Sequence, residues 1–200
     1  MIDVRIMAHP SRADNVKVML QDLKLSDEIV VWDDRINGGD AMYTARKAWL
    51  YPITDGCTHR IVLQDDAELC DGFLTIVEKV AEKYDDSIVS FFHMETYVGN
   101  NRYEQCNLGG GIALMMPVKM IYQFFDYVDK GIYMHCTRDL AERILKADTI
   151  SIRSWMKHEH IPCVTTVPSL VQHLGNVSLV GIDRKRVALD YTKNPPTTGW

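Results

Sequence analysis

Short apolar segments alternate with longer amphipathic segments through the first half of the chain, and this alternation is the strongest constraint on its fold. Residues 3–8, 28–32, 60–63 and 87–92 are apolar runs of strand length. Apolar residues recur at helical spacing over residues 13–23, 40–50 and 72–84. Strands joined through helices pair in parallel, because right-handed crossovers bring them side by side in one sheet. We therefore expect an α/β fold with a mostly parallel sheet and helices on both faces.

The pattern is less regular after residue 95. Residues 99–107 are polar and loop-like, and the polar tail 190–200, with its paired prolines, is expected to lie over the surface. The remaining segments predict a strand at 108–116, a helix at 118–127 and a strand at 163–167. No repeat or linker divides the 200 residues, which suffice for one hydrophobic core, so we expect a single domain.

Composition excludes several classes of protein. The net charge of -5 gives no general attraction to nucleic acid, and the only compact basic group is Arg184, Lys185 and Arg186. The five cysteines are widely spaced and form no CxxC pair, which favours reduced thiols in a cytoplasmic protein. No window of about 18 uncharged apolar residues occurs, so we expect neither a signal peptide nor a membrane span.

Polar side chains follow three of the predicted strands directly. His9 follows the first strand, Asp33 and Asp34 follow the second, and Asp65 and Asp66 follow the third. Ligands of open α/β sheets bind beyond the carboxyl ends of the strands, so these side chains are expected to converge. Two adjacent carboxylates repel one another, and a site that contains both is more easily explained if it binds a divalent cation or a ribose hydroxyl. Acidic loops are also common as solvated surface, and the residues alone leave both interpretations open.

The segment HRIVLQDDAELCDGF, residues 59–73, resembles the aspartate-bearing strand end of GT-A glycosyltransferases, abbreviated DxD or EDD. The resemblance implies that Asp66 binds Mn²⁺ or Mg²⁺ directly and that Asp65 contacts ribose or metal-bound water. Gln64 departs from the pattern, because it stands where many relatives have a carboxylate and brings no charge. The motif can also be aligned as Asp66-Ala67-Glu68, and the sequence leaves this register open.

A second segment, VPSLVQHLGNVS at residues 167–178, is similar to the closing segment of the same family, where a histidine supplies another metal ligand. The resemblance implies this role for His173. An imidazole beside carboxylate and diphosphate oxygens suits Mn²⁺ better than a Mg²⁺ site built of oxygen alone. A lone histidine is more often structural, so this interpretation depends on the upstream motif.

The segment ADTISIRSWMKHEHIP, residues 147–162, matches the stretch in which the family places an acidic residue at the start of a helix. The resemblance implies that Asp148 takes the proton from the attacking hydroxyl. Asp148 is equally well explained as a helix N-cap. Asp139 competes for the role of base, since a base must reach its proton in space.

Two further segments resemble the donor site. AHPSR, residues 8–12, is similar to the loop around the nucleotide base, which implies that His9, Pro10 and Arg12 contact the nucleotide. NGGDAMYTARKAW, residues 37–49, is similar to the segment that lines the ribose and diphosphate. That similarity implies binding roles for Asp40 and Arg46.

A glycine-led strand completes the resemblance, with Gly110 implied to lie beside the donor sugar. Structural alternatives remain: Gly110 can mark a bulge, and Arg46 can be a solvated helix residue. The resemblance covers about residues 2–182. It implies a nucleotide-binding half at 1–95, an acceptor and metal half at 96–182, and a C-terminal loop and tail at 183–200.

The activity implied is metal-dependent transfer of a sugar from a nucleotide-diphosphate donor, a UDP-sugar, to an acceptor hydroxyl with inversion at the anomeric carbon. The small chain is similar to phage or bacterial enzymes of the family. A glycan, a protein side chain or a modified DNA base each presents a suitable hydroxyl. The alternatives are a nucleotidyltransferase, a metal-dependent phosphohydrolase, or a nucleotide-binding module without turnover.

Overall fold

A computed structural model describes residues 1–34, 41–93, 103–105, 108, 111–131, 148–175, 188, 190–196 and 198–200. The strands are Ile2–Ala8 (β1), Val30–Trp32 (β2), His59–Gln64 (β3), Ala67–Leu69 (β4), Ile88–Ser90 (β5), Tyr103–Gln105 (β6), Ala113–Pro117 (β7), Cys163–Thr166 (β8) and Val171–His173 (β9). The α-helices are Ala13–Leu23 (α1), Ala41–Leu50 (α2), Phe73–Lys83 (α3), Val118–Asp129 (α4) and Asp148–Glu159 (α5). Two short 3-10 helices cover Pro10–Arg12 and Asp27–Ile29.

The main sheet has seven strands in the order β2-β1-β3-β7-β5-β8-β6. β1 pairs in parallel with β2 and β3, and β5 pairs in parallel with β8. β7 is antiparallel to both β3 and β5, and β6 is antiparallel to β8. Five strands therefore run in one direction and only β6 and β7 run in the other. This confirms the expectation of an α/β fold with a mostly parallel sheet.

Helices cover both faces of this sheet and bury two apolar cores. In β3, Ile61 and Leu63 join the first core while Val62 joins the second, because successive strand residues point to opposite faces. α1 and α3 pack in the first core. α2, α4 and α5 pack in the second. The β3 strand is thus buried on both sides, which fixes the register of the turn that follows it.

The fully buried guanidinium of Arg60 closes the end of α2. Its Nη1 donates hydrogen bonds to the carbonyl oxygens of Trp49 and Tyr51, each at 2.6 Å, and its Nε donates to Asp3 at 2.5 Å. The last carbonyl groups of a helix have no partner within the helix, and they favour a cation. The C-terminus of α2 is therefore tied to the start of β1 and β3.

Several elements differ from expectation. The polar stretch 99–107 was expected to be a loop, but it contains β6 at the sheet edge, where a polar strand needs no second buried face. Of the predicted strand at residues 28–32, only Val30–Trp32 is a strand, and the residues before it belong to the 3-10 helix Asp27–Ile29. The two-stranded sheet of β4 and β9 was not predicted. In the tail, Tyr191 and Trp200 pack against the first core.

Two other expectations concern cysteines and membranes. Cys57 and Cys70 are free thiols, but Cys163 is disulfide-bonded, so the expectation of reduced thiols throughout is wrong at Cys163. Within the described ranges, no helix is long and apolar enough to cross a membrane.

Candidate functional site

The turn between β3 and β4 carries Asp65 and Asp66 at the carboxyl end of β3. Each residue is only 5% exposed, although both are acidic and lie in a turn. The backbone N–H of Asp65 donates to the Met7 carbonyl oxygen at 3.2 Å, which extends the pairing of β1 and β3 into the turn. Strand pairing therefore holds both carboxylates at the edge where the parallel strands end.

The loop after β1 supplies donors to both carboxylates. The His9 backbone N–H donates to Asp65 Oδ2 at 2.6 Å. Arg12 Nη1 donates to Asp65 Oδ1 at 2.7 Å and to Asp66 Oδ2 at 2.6 Å. Pro10 lies in the first turn of the 3-10 helix between them, where its fixed φ suits a helical start. His9, Pro10 and Arg12, predicted to surround a nucleotide, thus lie directly beside the aspartate pair.

His173 reaches the same carboxylates from β9. Its Nε2 lies 3.3 Å from Asp66 Oδ2, and the Leu174 N–H donates to the Asp66 carbonyl oxygen at 2.9 Å. β4 pairs with β9 so that Ala67 stands opposite His173, which brings the imidazole beside Asp66. We call His9, Arg12, Asp65, Asp66 and His173 the aspartate cluster. The two motifs that resemble metal-binding segments therefore meet in space.

The ring of His173 is held in one orientation. The Gly175 N–H donates to His173 Nδ1 at 3.0 Å, and Gly175 has a φ of 67°, a conformation that favours glycine. Since Nδ1 accepts a hydrogen bond, a neutral ring carries its proton on Nε2, toward Asp66. Metal ligation through Nε2 would move that proton to Nδ1 and replace the bond from Gly175.

Side-chain hydrogen bonds of Gln172 anchor this strand to the C-terminal segment. Its Oε1 accepts from the N–H of Ala188 at 2.8 Å, and its Nε2 donates to the Ala188 carbonyl oxygen at 3.0 Å. Ala188 is therefore held beside the residue that precedes His173.

Electrostatics distinguish the two aspartates. Burial raises the pKa of Asp65, although hydrogen bonds from His9 and Arg12 oppose the rise. Burial also acts to raise the pKa of Asp66, but the hydrogen bond and charge of His173, together with Arg12, outweigh it and lower that pKa. The surroundings of Asp66 therefore favour its ionised form, which is the form that a metal ligand needs.

The aspartate cluster contains carboxylate and imidazole groups, which are types of ligand that bind divalent cations. Asp66 Oδ1 is buried and has no hydrogen-bond partner among the described residues, so one carboxylate oxygen remains available as a ligand. However, Arg12 Nη1 occupies the place where Asp65 and Asp66 converge. Across the described ranges, no group of three or more His, Cys, Asp or Glu side chains is arranged as a ready metal site. The cluster therefore fits a cation only after Arg12 has moved.

Asp148 lies at the start of α5 and is 4% exposed. Its Oδ1 accepts the backbone N–H of Thr149 at 2.8 Å. Burial raises the pKa of Asp148 to about 6, and the groups of Thr149 and the nearby indole of Trp49 oppose the rise. The indole N–H makes no hydrogen bond of regular geometry with it. This bond comes from the next residue and not from the second or third residue after a cap, so the N-cap role and the role of base both stay predictions.

Gly111 links the start of α5 to β3. A Cβ at Gly111 would overlap Oγ1 of Thr149 and would lie 3.6 Å from Nε2 of Gln64. Gln64 is the last residue of β3, directly before Asp65. Thr149, the neighbour of Asp148, therefore packs against Gly111, and Gly111 lies near the end of the strand that carries the aspartate pair.

Arg46, predicted to bind the donor diphosphate, makes a bidentate ion pair with Asp129. Its Nη1 donates to Oδ1 at 2.7 Å and its Nη2 donates to Oδ2 at 2.6 Å. Its guanidinium also lies over the ring of Phe125, 4.9 Å from the centroid. These contacts join α2 to α4, and its role in donor binding stays a prediction. The predictions for Asp40, Gly110 and Asp139 fall outside the described residues, as does the basic group of Arg184, Lys185 and Arg186.

A second polar group, which the sequence patterns did not predict, lies at the same sheet edge. His93 follows β5, and its backbone N–H donates to Ser169 Oγ at 3.2 Å. His93 Nδ1 lies 3.8 Å from Asp190 Oδ2, and Asp190 Oδ1 accepts the Ser169 N–H at 3.2 Å. His93 follows its strand as His9 follows β1, which was the available signal. Its partner Asp190 comes from the tail, which no local pattern places there.

No protein-family model matches the chain, and no curated protein matches it.

Proposed function

We propose that the chain is a metal-dependent glycosyltransferase of the GT-A type, with one domain over residues 1–200. It transfers a sugar from a nucleotide-diphosphate donor, a UDP-sugar, to an acceptor hydroxyl. The observation that carries the proposal is the meeting of Asp66 and His173, 3.3 Å apart, beside Asp65 and Arg12. Two segments distant in sequence resemble metal-binding motifs of one family, and a shared site accounts for both.

The charge of the aspartate cluster supports a cation-dependent donor site. Two carboxylates and one guanidinium leave a net negative charge when His173 is neutral, and a diphosphate is itself anionic. Asp66 and His173 would hold a divalent cation, which on binding supplies the positive charge that stabilises the departing nucleoside diphosphate. Asp65 fixes the loop after β1 through the hydrogen bond that it accepts from the His9 backbone N–H.

The carboxyl ends of β1 and β2 form one side of the proposed nucleotide site. They are joined by the bond from the Asp33 N–H to the Ala8 carbonyl oxygen at 2.7 Å. His9, Pro10 and Arg12 follow Ala8, so this edge carries the polar groups that a base and a ribose need. Asp40, Arg46 and Gly110 complete the proposed donor site.

Asp148 is the proposed base for the acceptor hydroxyl. A carboxylate with a pKa of about 6 is ionised at neutral pH and still has appreciable affinity for a proton. Attack on the face opposite the leaving group inverts the anomeric carbon. The proposed acceptors are a glycan, a protein side chain or a modified DNA base.

The test measures thermal shifts with UDP, GDP, CDP and TDP, each with and without Mn²⁺. Ligands that bind only the folded state raise its melting temperature. We expect a UDP shift that requires Mn²⁺ and is lost in Asp66→Asn and His173→Gln. Asp14→Asn is the matched control, because the Asp14 side chain is 95% exposed and lies on α1. No shift with any diphosphate, or a shift that persists in both site variants, would contradict the proposal.

Turnover separates the proposal from its alternatives. A glycosyltransferase incubated with a UDP-sugar and an acceptor releases UDP. A nucleotidyltransferase instead releases pyrophosphate and a phosphohydrolase releases phosphate. Binding without any of these products identifies a nucleotide-binding module.

A further inference from the structure

A single nitrogen of Arg12 stands between the two aspartates. Nη1 lies 2.7 Å from Asp65 Oδ1 and 2.6 Å from Asp66 Oδ2. The side chain of Arg12 is 11% exposed, and those of Asp65 and Asp66 are each 7% exposed. Burial acts to lower the pKa of Arg12, but the two carboxylates outweigh it and raise that pKa. The guanidinium is therefore a half-buried cation held by a pair of buried anions.

We propose that Arg12 is a built-in counter-cation that a divalent cation displaces, so that the guanidinium and the metal occupy the aspartate pair in alternation. This inference rests on the proposed metal-dependent function and assigns to Arg12 a role that differs from contact with the nucleotide base.

Geometry makes the two occupants mutually exclusive. A divalent cation lies about 2.0–2.6 Å from a carboxylate oxygen. A cation on Asp66 Oδ2 that also approaches Asp65 would take the position of Nη1, which is 2.6 Å from the same oxygen. The guanidinium and the metal also repel each other, and this repulsion is strong at such separations in a buried site.

The unpaired oxygen of Asp66 shows that Arg12 satisfies the pair incompletely. Asp66 Oδ1 is buried without a hydrogen-bond partner among the described residues, which costs free energy. A cation that ligates Asp66 through both oxygens removes this cost, whereas Nη1 reaches only Oδ2. The ion pairs of Arg12 therefore stabilise the metal-free protein, and metal binding would still lower the free energy by giving Asp66 Oδ1 a partner.

Displacement predicts two effects of opposite sign when Arg12 is removed. The metal-free protein loses the cation that neutralises Asp65 and Asp66, so its melting temperature falls. The affinity for metal rises, because the metal no longer competes with the guanidinium. A role in packing alone lowers the melting temperature without raising metal affinity, and a role in phosphate binding alone leaves metal affinity unchanged.

The experiment measures Mn²⁺ binding without nucleotide, from the electron paramagnetic resonance signal of free Mn²⁺. The wild type is compared with Arg12→Gln and with Lys17→Gln, an exposed charge-matched control on α1. We expect Arg12→Gln to bind Mn²⁺ about tenfold more tightly than the wild type, from the lost repulsion. Lys17→Gln should bind as the wild type does, and Asp66→Asn should bind at least about tenfold more weakly.

Equal or weaker Mn²⁺ binding by Arg12→Gln overturns the displacement. If Mn²⁺ still supports UDP binding and turnover in that case, the proposed glycosyltransferase function stands alone. If neither protein binds Mn²⁺ and no UDP-sugar is consumed, both proposals are wrong.

A second measurement uses the wild type alone, so it tests the displacement even if Arg12→Gln does not fold. The Nε–H signal of Arg12 in ¹⁵N nuclear magnetic resonance should shift on addition of Mg²⁺, because the guanidinium leaves the carboxylates. An unchanged Arg12 signal at a saturating Mg²⁺ concentration overturns the displacement whatever Arg12→Gln does.

Discussion

Gly111 and Thr149 pack so closely that a Cβ on the glycine would overlap Oγ1 of the threonine. This contact joins the segment before β7 to the first turn of α5, next to Gln64 at the end of β3. The first turn of α5, which carries Asp148, can therefore pack this closely only because residue 111 is a glycine.

Gly111→Ala should destabilise the protein by about 1–3 kcal/mol, because an added methyl group in a packed site forces its neighbours to move. Urea denaturation measures the change. In the double variant Gly111→Ala/Thr149→Ala the overlapping Oγ1 is gone, so much of the loss should be recovered relative to Thr149→Ala alone. Additive losses would show that the two side chains do not compete for space.

Asp148→Asn should change how stability depends on pH. The folded-state pKa of about 6 exceeds the ordinary value of 3.8, so the folded protein holds this proton more tightly than the unfolded chain. As pH rises from about 4 to 6, the carboxylate ionises in its buried place and the wild type loses stability. The amide of the variant cannot ionise, so Asp148→Asn should gain on the order of 3 kcal/mol relative to the wild type over this window.

Urea denaturation at pH 4, 5, 6 and 7 checks this prediction, and a constant difference between the two proteins would refute it. The same variant tests the base. If Asp148 is the base, kcat should fall roughly 10²–10⁴-fold while the melting temperature at pH 7 does not fall. If Asp148 serves only the helix end, activity should change no more than folding does.

Arg60→Met should cost about 3–5 kcal/mol, because it breaks a buried ion pair with Asp3 and removes the donors to the end of α2. The matched control is Arg46→Met, whose ion pair with Asp129 is exposed and worth about 0–1 kcal/mol. Thermal and urea unfolding of both variants give the comparison. Similar losses in the two variants would mean that burial of Arg60 does not set its contribution.

Much of the sheet was predictable because its strands and helices have strong local patterns. The predicted bounds of α1 match the structure, and those of β3 and α3 differ only at their ends. β6 was not predicted, because three polar residues at a sheet edge lack the alternation that marks a half-buried strand. β4 and β9 were not predicted as a pair, because each is only three residues long and each is a strand only through its hydrogen bonds to the other.

The candidate site was predicted unevenly for the same reason. Asp65, Asp66 and His9 follow strands, and the rule for parallel sheets places them at one edge. The association of His173 with Asp66 rested on a resemblance between motifs and not on spacing. His93 and Asp190 were overlooked, since the tail had no pattern that predicts a contact with β5.

The sequence by itself determined the α/β class, the direction of most strands and the edge at which the acidic residues emerge, because these follow from local periodicity and strand order. Tertiary structure alone decided that Arg12 lies between Asp65 and Asp66 and that Thr149 packs against Gly111. Such contacts join residues far apart in the chain, and their energies depend on burial and on distances of a few ångströms. Sequence spacing does not encode those distances, so only the folded chain shows which charges are paired and which atom of Asp66 is left without a partner among the described residues.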